Sequence, residues 1–192
     1  TLQFQSELPT GISVLILRFT GELNDKLRGF YRSKYKDQND RECYLATTQF
    51  EATDARRAFP CWDEPALKAI FQLTLLIPPN LVAVSNMPLV SENIEHLTGL
   101  SKKVFAETPE MSTYLLAFII GDLKSIEQCA TDGTIVRVWT TAGLEQNGRF
   151  ALEVSVKLLD YFNNYFGIVF PLPKLDHIAI PDFAAGAMEN WG

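Results

Sequence analysis

Histidine and cysteine are scarce in this chain of 192 residues, and that scarcity limits its chemistry. Its three cysteines, Cys43, Cys61 and Cys129, are odd in number and widely spaced, which excludes a disulfide framework or a CxxC metal site. Cys61 has no histidine beside it in FPCWDEP to stabilise a thiolate, so a nucleophilic role is not expected. Of the two histidines, His96 (in ENIEHLTG) reads as a surface loop and His177 (in KLDHIAIPDF) as a strand start. Neither belongs to an HExxH pattern, so they provide no zinc site. No Asn-x-Ser/Thr sequon occurs, and with the unpaired cysteines this predicts a reducing compartment, most simply cytoplasmic. No apolar run approaches the ~18 residues needed to span a bilayer; the longest, TYLLAFII (113–120), has the length of a buried strand. A surplus of positive charge is also missing. The net charge of −6 and pI of about 5.0 leave no basic face for nucleic acid.

What is present reads mostly as β. GISVLILRF (11–19) is an apolar, β-branched run. FYRSKY and CYLATTQF flank the polar KDQNDRE and predict a hairpin. AIFQLTLLI stops at Pro78-Pro79, LVAVS stops at Asn86, and KKVFAE precedes Pro109. KSIEQ meets TIVRVWT across an Asp132-Gly133 turn. Short strands with regular turn signals predict a mainly β, sandwich-like domain. Near residue 140 the period changes. Phe150, Ala151, Val154, Leu158, Phe162, Tyr165 and Phe166 fall at helical spacing, with Asn147 able to cap the start and Gly167 the end. Pro171 and Pro173 then precede a strand, DHIAI (176–180). The chain opens at Thr1 without a signal-like segment and closes on the apolar phrase FAAGAMENWG, so both ends read as cuts.

Polar groups concentrate in TQFEATDARRAFPCWDEP (48–65). Gln49 and Glu51 are two apart, which on an extended backbone puts both on one face. With MSTYLLAF, FPLPK and GAMEN following in that order, the chain resembles the M1 family of gluzincin zinc aminopeptidases over about Gly11–Gly192. It is most similar to the puromycin-sensitive, cytosolic branch.

The resemblance implies a β-sandwich-like N-terminal domain, incomplete, at 1–138, and the α+β start of a thermolysin-like catalytic domain at 139–192. It implies that Glu51 and Glu189, with Gln49 beside them, hold the α-ammonium group of a peptide with a free N-terminus. Two nearby carboxylates repel each other until a cation sits between them. Gly186 and Ala187 would line up the substrate main chain as an added strand, glycine permitting close approach and unusual φ. Met188 would line the first side-chain pocket, Asn190 would brace the loop more than touch substrate, and Trp191 would pack. Asp54, Arg56 and Arg57 would fix the loop carrying Glu51, whose bond to Ala52 is expected to be cis. Zinc, in the full-length enzyme, would be held by ligands outside this chain, beyond GAMENWG, so this piece alone is expected to be inactive. The epoxide-hydrolase branch of the superfamily is a rival. It carries Gln where this chain has Glu51, and GGMEN in place of GAMEN. A non-catalytic peptide- or protein-binding module on the same scaffold is the other.

Overall fold

The computed structural model describes residues 3–192. Its mainly β architecture matches the sequence expectation. Among the described residues ten strands form three sheets, and one long helix packs on the third. The hairpin β1 (Gly29–Lys36) and β2 (Glu42–Gln49) is antiparallel, with Gly29 opposite Gln49. Asp37 closes its turn by accepting the amides of Asn39 and Arg41. β3 (Thr74–Ile77), β4 (Val82–Ser85), β5 (Leu89–Ile94), β6 (Ser101–Phe105) and β7 (Phe118–Gly121) follow. One sheet has the order β1-β2-β7-β4, and a second has β3-β6-β5. The third contains β8 (Leu123–Cys129), β9 (Ile135–Thr141) and β10 (Lys174–Ile178) in the order β10-β9-β8, with β10 parallel to β9. The expected domain boundary at 138/139 falls inside β9.

Between β9 and β10 runs α1 (Arg149–Phe166), ended by Gly167 at φ 64° as its sequence position predicts. Leu152, Val156 and Leu159 pack on Ala130, Val136 and Val138. Burying each such side chain stabilises by about 1.5–3 kcal/mol. Two expectations for this helix are corrected. Asn147 does not cap it: a 3-10 turn (Glu145–Gly148) leads in, Gly148 is the N-cap, and no side-chain cap bond forms. The period is right, but the face is not. Phe150, Leu158, Phe162, Tyr165 and Phe166 are exposed, because β8 and β9 cover the opposite stripe.

Other differences turn on tertiary contacts. The run 11–19 forms no strand, since no ladder partner meets it among the described residues. Ile12, Val14 and Ile16 are 103%, 86% and 81% exposed, whereas Leu15, Leu17 and Phe19 are about half covered. TYLLAFII is not one strand. The Ser112 and Thr113 hydroxyls donate to the carbonyls of Pro65 and Trp62, and a 3-10 turn (Thr113–Leu115) forms before β7. Ala69–Leu73 makes only isolated pairings, such as Ala69 with Met111, before β3 begins. β5, fully exposed and without apolar alternation, is a strand that sequence pattern did not predict.

Candidate substrate-binding site

The site begins where β2 leaves its sheet. Gln49, the last residue of β2, is buried; Glu51 lies in the turn beyond it and is exposed. The Glu51–Ala52 peptide bond is cis, as the resemblance implies. The amide of Asp54 donates to the Phe50 carbonyl (2.8 Å), and Arg57 Nε donates to Asp54 Oδ1 (2.5 Å). Arg56 gives its amide and Nε to Asp63 Oδ2, both at 3.0 Å, and its Nη2 to the Asp63 carbonyl. Asp63 is buried, so these charge-assisted bonds hold the turn firmly. Asp54, Arg56 and Arg57 fix the loop as expected. Burial and the Asp63 charge push the Cys61 thiol up, in keeping with an inert cysteine.

The second component is the segment after β10. Its entry is held by β1: Tyr31 Oη donates to the Asp182 carbonyl (3.0 Å), and the Asp182 amide donates to Ser33 Oγ (2.8 Å). Its far end is held twice. Asn86 Nδ2 donates to the Trp191 carbonyl (2.8 Å), and Lys174 Nζ donates to the Gly192 carbonyl (2.8 Å), which also receives the Asp176 amide (3.0 Å). Gly192 sits at φ 87°, and a Cβ there would lie 1.9 Å from the Asn86 carbonyl oxygen, so only glycine fits.

Lys174 and Asp176, both on β10 and both buried, form an ion pair at 2.7 Å. Asp176 Oδ1 also accepts Trp139 Nε1 at 3.1 Å, with Arg137 Nη1 3.9 Å away. Burial pulls the Lys174 ammonium below its usual pKa, and the Asp176 charge opposes that shift. Opposite charges two apart on a strand were a readable signal for this brace. Tyr31 and Asn86 gave no such signal.

Between these anchors a cavity of about 560 Å³ separates the four-stranded sheet (Thr47, Thr48, Ala117, Ile119) from β10 and the loop that follows it. Gly186, Ala187, Met188 and Asn190 line it. Gly186 has no left-handed φ, and a Cβ there would meet nothing within 4 Å. The expectation that its backbone needs glycine for unusual φ is therefore corrected: it simply borders open space. Gln49 and Met188 are brought together, with Gln49 Nε2 3.5 Å from Met188 Sδ. Gln49 Oε1 is buried with no hydrogen-bond partner. Asn190 Nδ2 braces the loop on the Leu115 carbonyl (3.0 Å), and Trp191 is only partly packed, at 39% exposed. Glu51 and Glu189 are exposed, and neither has a hydrogen-bond or ion-pair partner among the described residues.

His96 sits in the exposed turn between β5 and β6, and His177 on β10. Among the described residues no group of three or more His, Cys, Asp or Glu could hold a metal ion. No described helix is long and apolar enough to cross a membrane.

Comparison with known proteins gives these features a family. Residues 1–115 match the Peptidase M1 N-terminal domain, and residues 150–192 match the Peptidase family M1 domain. Over the whole chain, the sequence is 55% identical to Aminopeptidase M1-A of Oryza sativa subsp. japonica, of which it covers 21%. It is 52% identical, over 93% of the chain, to the Puromycin-sensitive aminopeptidase of Caenorhabditis elegans, covering 19% of that protein. It is 46% identical, over its full length, to the Aminopeptidase N of Acetobacter pasteurianus, covering 54%. The chain thus spans about a fifth of the plant and nematode proteins and about half of the bacterial one. With one family profile matching more than half of its length, this chain belongs to the M1 family of peptidases.

Proposed function

We propose that this chain is the substrate-anchoring part of an aminopeptidase that removes N-terminal residues from peptides. The observation that carries the reading is the Gln49 side chain: its Nε2 meets Met188 of the GAMEN loop, and its Oε1 is a buried acceptor without a donor. A buried polar atom left unpaired costs about 1–3 kcal/mol, and a ligand ammonium would satisfy it. Glu51 and Glu189, exposed and without partners among the described residues, remain available to meet the same cation. Gly186, Ala187 and Met188 border the cavity in which a peptide main chain could lie against the loop, and Asn190 braces that loop on the Leu115 carbonyl.

The metal of such an enzyme does not fit the residues present, because no cluster of ligands exists among those described. Zinc would be held by residues outside this chain. The relatives' greater length supports that arrangement. Division into an N-terminal β domain (1–138) and the start of a thermolysin-like peptidase domain (139–192) is supported by separate family matches on either side. A cytoplasmic location is supported by the three free cysteines and by resemblance to the puromycin-sensitive branch.

The test is Glu189→Gln in the longer protein. A hydrogen bond to a charged group contributes about 1.5–3 kcal/mol, so KM for a free-amine peptide should rise about 10- to 150-fold with bound zinc unchanged. An unaltered KM contradicts the anchor.

A further inference from the structure

Asn86 is almost fully buried at the end of β4, and its amide makes three hydrogen bonds to three separate places. Oδ1 accepts the Ala117 amide at 2.8 Å. Nδ2 donates to the Leu115 carbonyl at 2.9 Å and to the Trp191 carbonyl at 2.8 Å. Two of these bonds lock the 3-10 turn and the start of β7 to β4, and the third reaches into the loop carrying Met188, Glu189 and Asn190. Asn190 donates to the same Leu115 carbonyl, so the loop meets the β domain at one fully satisfied polar node. No apolar residue could supply these bonds, and aspartate would set a carboxylate oxygen against two carbonyl oxygens.

We propose that Asn86 is a positioning residue for the substrate loop: it fixes where Met188 and Glu189 stand relative to Gln49 and Glu51. This rests on the anchor reading above. Asn86 belongs to the β domain and the loop to the other family match, so the amide sets the register between the two halves of the proposed amine site.

Three methionines allow a direct test by methyl NMR of the 192-residue chain. Met188 reports the loop. Met111, fully buried, reports the fold. Asn86→Asp keeps the acceptor for Ala117 and removes both donors. The expected result is a Met188 resonance shifted towards the free-methionine position and narrowed, with Met111 unmoved. Gly192→Ala, which leaves Asn86 intact but forces the chain off it, should displace Met188 likewise. The proposal is overturned if Met188 stays in place in either variant, or if Met111 moves with it in both. In the longer protein, Asn86→Asp should raise KM for free-amine peptides at least tenfold and change kcat by less than threefold; equal effects on both contradict a positioning role. If the unmodified enzyme cuts N-acetylated peptides as readily as free ones, the anchor reading fails, while the methyl spectra still decide whether Asn86 holds the loop.

Discussion

Asn86 and Asn190 share one acceptor: each donates its side-chain amide to the carbonyl oxygen of Leu115, at 2.9 and 3.0 Å. One residue closes β4 and the other closes the GAMEN phrase, so this carbonyl joins the β domain to the loop that carries Glu189. A carbonyl has two lone pairs, and both are used here. Asn190→Ala should therefore loosen the loop at a cost of about 1 kcal/mol, measured by chemical denaturation of the chain. Asn190→Ala combined with Asn86→Ala should fall short of the two single losses added together, because the residues share a partner.

Tyr31 tethers the loop entry, and its hydroxyl must stay protonated to do so. Burial, and then the Asp182 charge, raise its pKa well above the ordinary 10.0. The folded state thus keeps a proton that the unfolded state releases. The stability this contributes is intact below pH 10 and is lost as pH climbs above it. Tyr31→Phe should cost about 1 kcal/mol at neutral pH and flatten the alkaline decline in stability. An alkaline decline as steep in Tyr31→Phe as in the unmodified chain contradicts the assignment.

The Lys174–Asp176 pair is buried enough for single removal to be severe. Asp176→Asn leaves the buried Lys174 without its counter-charge, at a cost of about 3–5 kcal/mol, and Lys174→Met should cost less because Arg137 stays 3.9 Å from Asp176. Replacing both with apolar residues should cost less than either single change, apart from the bond from Trp139 Nε1 to Asp176. Thermal melts of the three variants decide it, and simple additivity contradicts the pairing argument.

Ile12, Val14 and Ile16 present exposed apolar side chains close together in the chain. The 192-residue chain should associate as its concentration rises, and Val14→Lys with Ile16→Lys should suppress this in sedimentation velocity. Association that the two lysines leave unchanged would place the contact elsewhere.

Much of the β architecture was legible because hairpins are local. The alternation in β1 and β2, and the Asp132-Gly133 turn between β8 and β9, depend only on neighbouring residues. Tertiary contacts decided the rest. Thr113 bends away from strand geometry because the Trp62 carbonyl, far off in sequence, receives its hydroxyl. Helix α1 is apolar on two faces, so periodicity marked the helix but could not say which stripe β8 and β9 would cover. In the site, Gln49 and Met188 were named from motifs and do meet. Asn86 was invisible as a site residue, since its importance lies in three partners that the sequence scatters.

The role proposed for this chain is to hold a peptide by its free α-amine. Its most direct test is to compare a peptide and its N-acetylated form as substrates of the longer protein carrying this chain, before and after Glu189→Gln. The account predicts cleavage of the free peptide alone, and a KM for it that rises in Glu189→Gln. Equal cleavage of both forms, or a KM unmoved by Glu189→Gln, would contradict it.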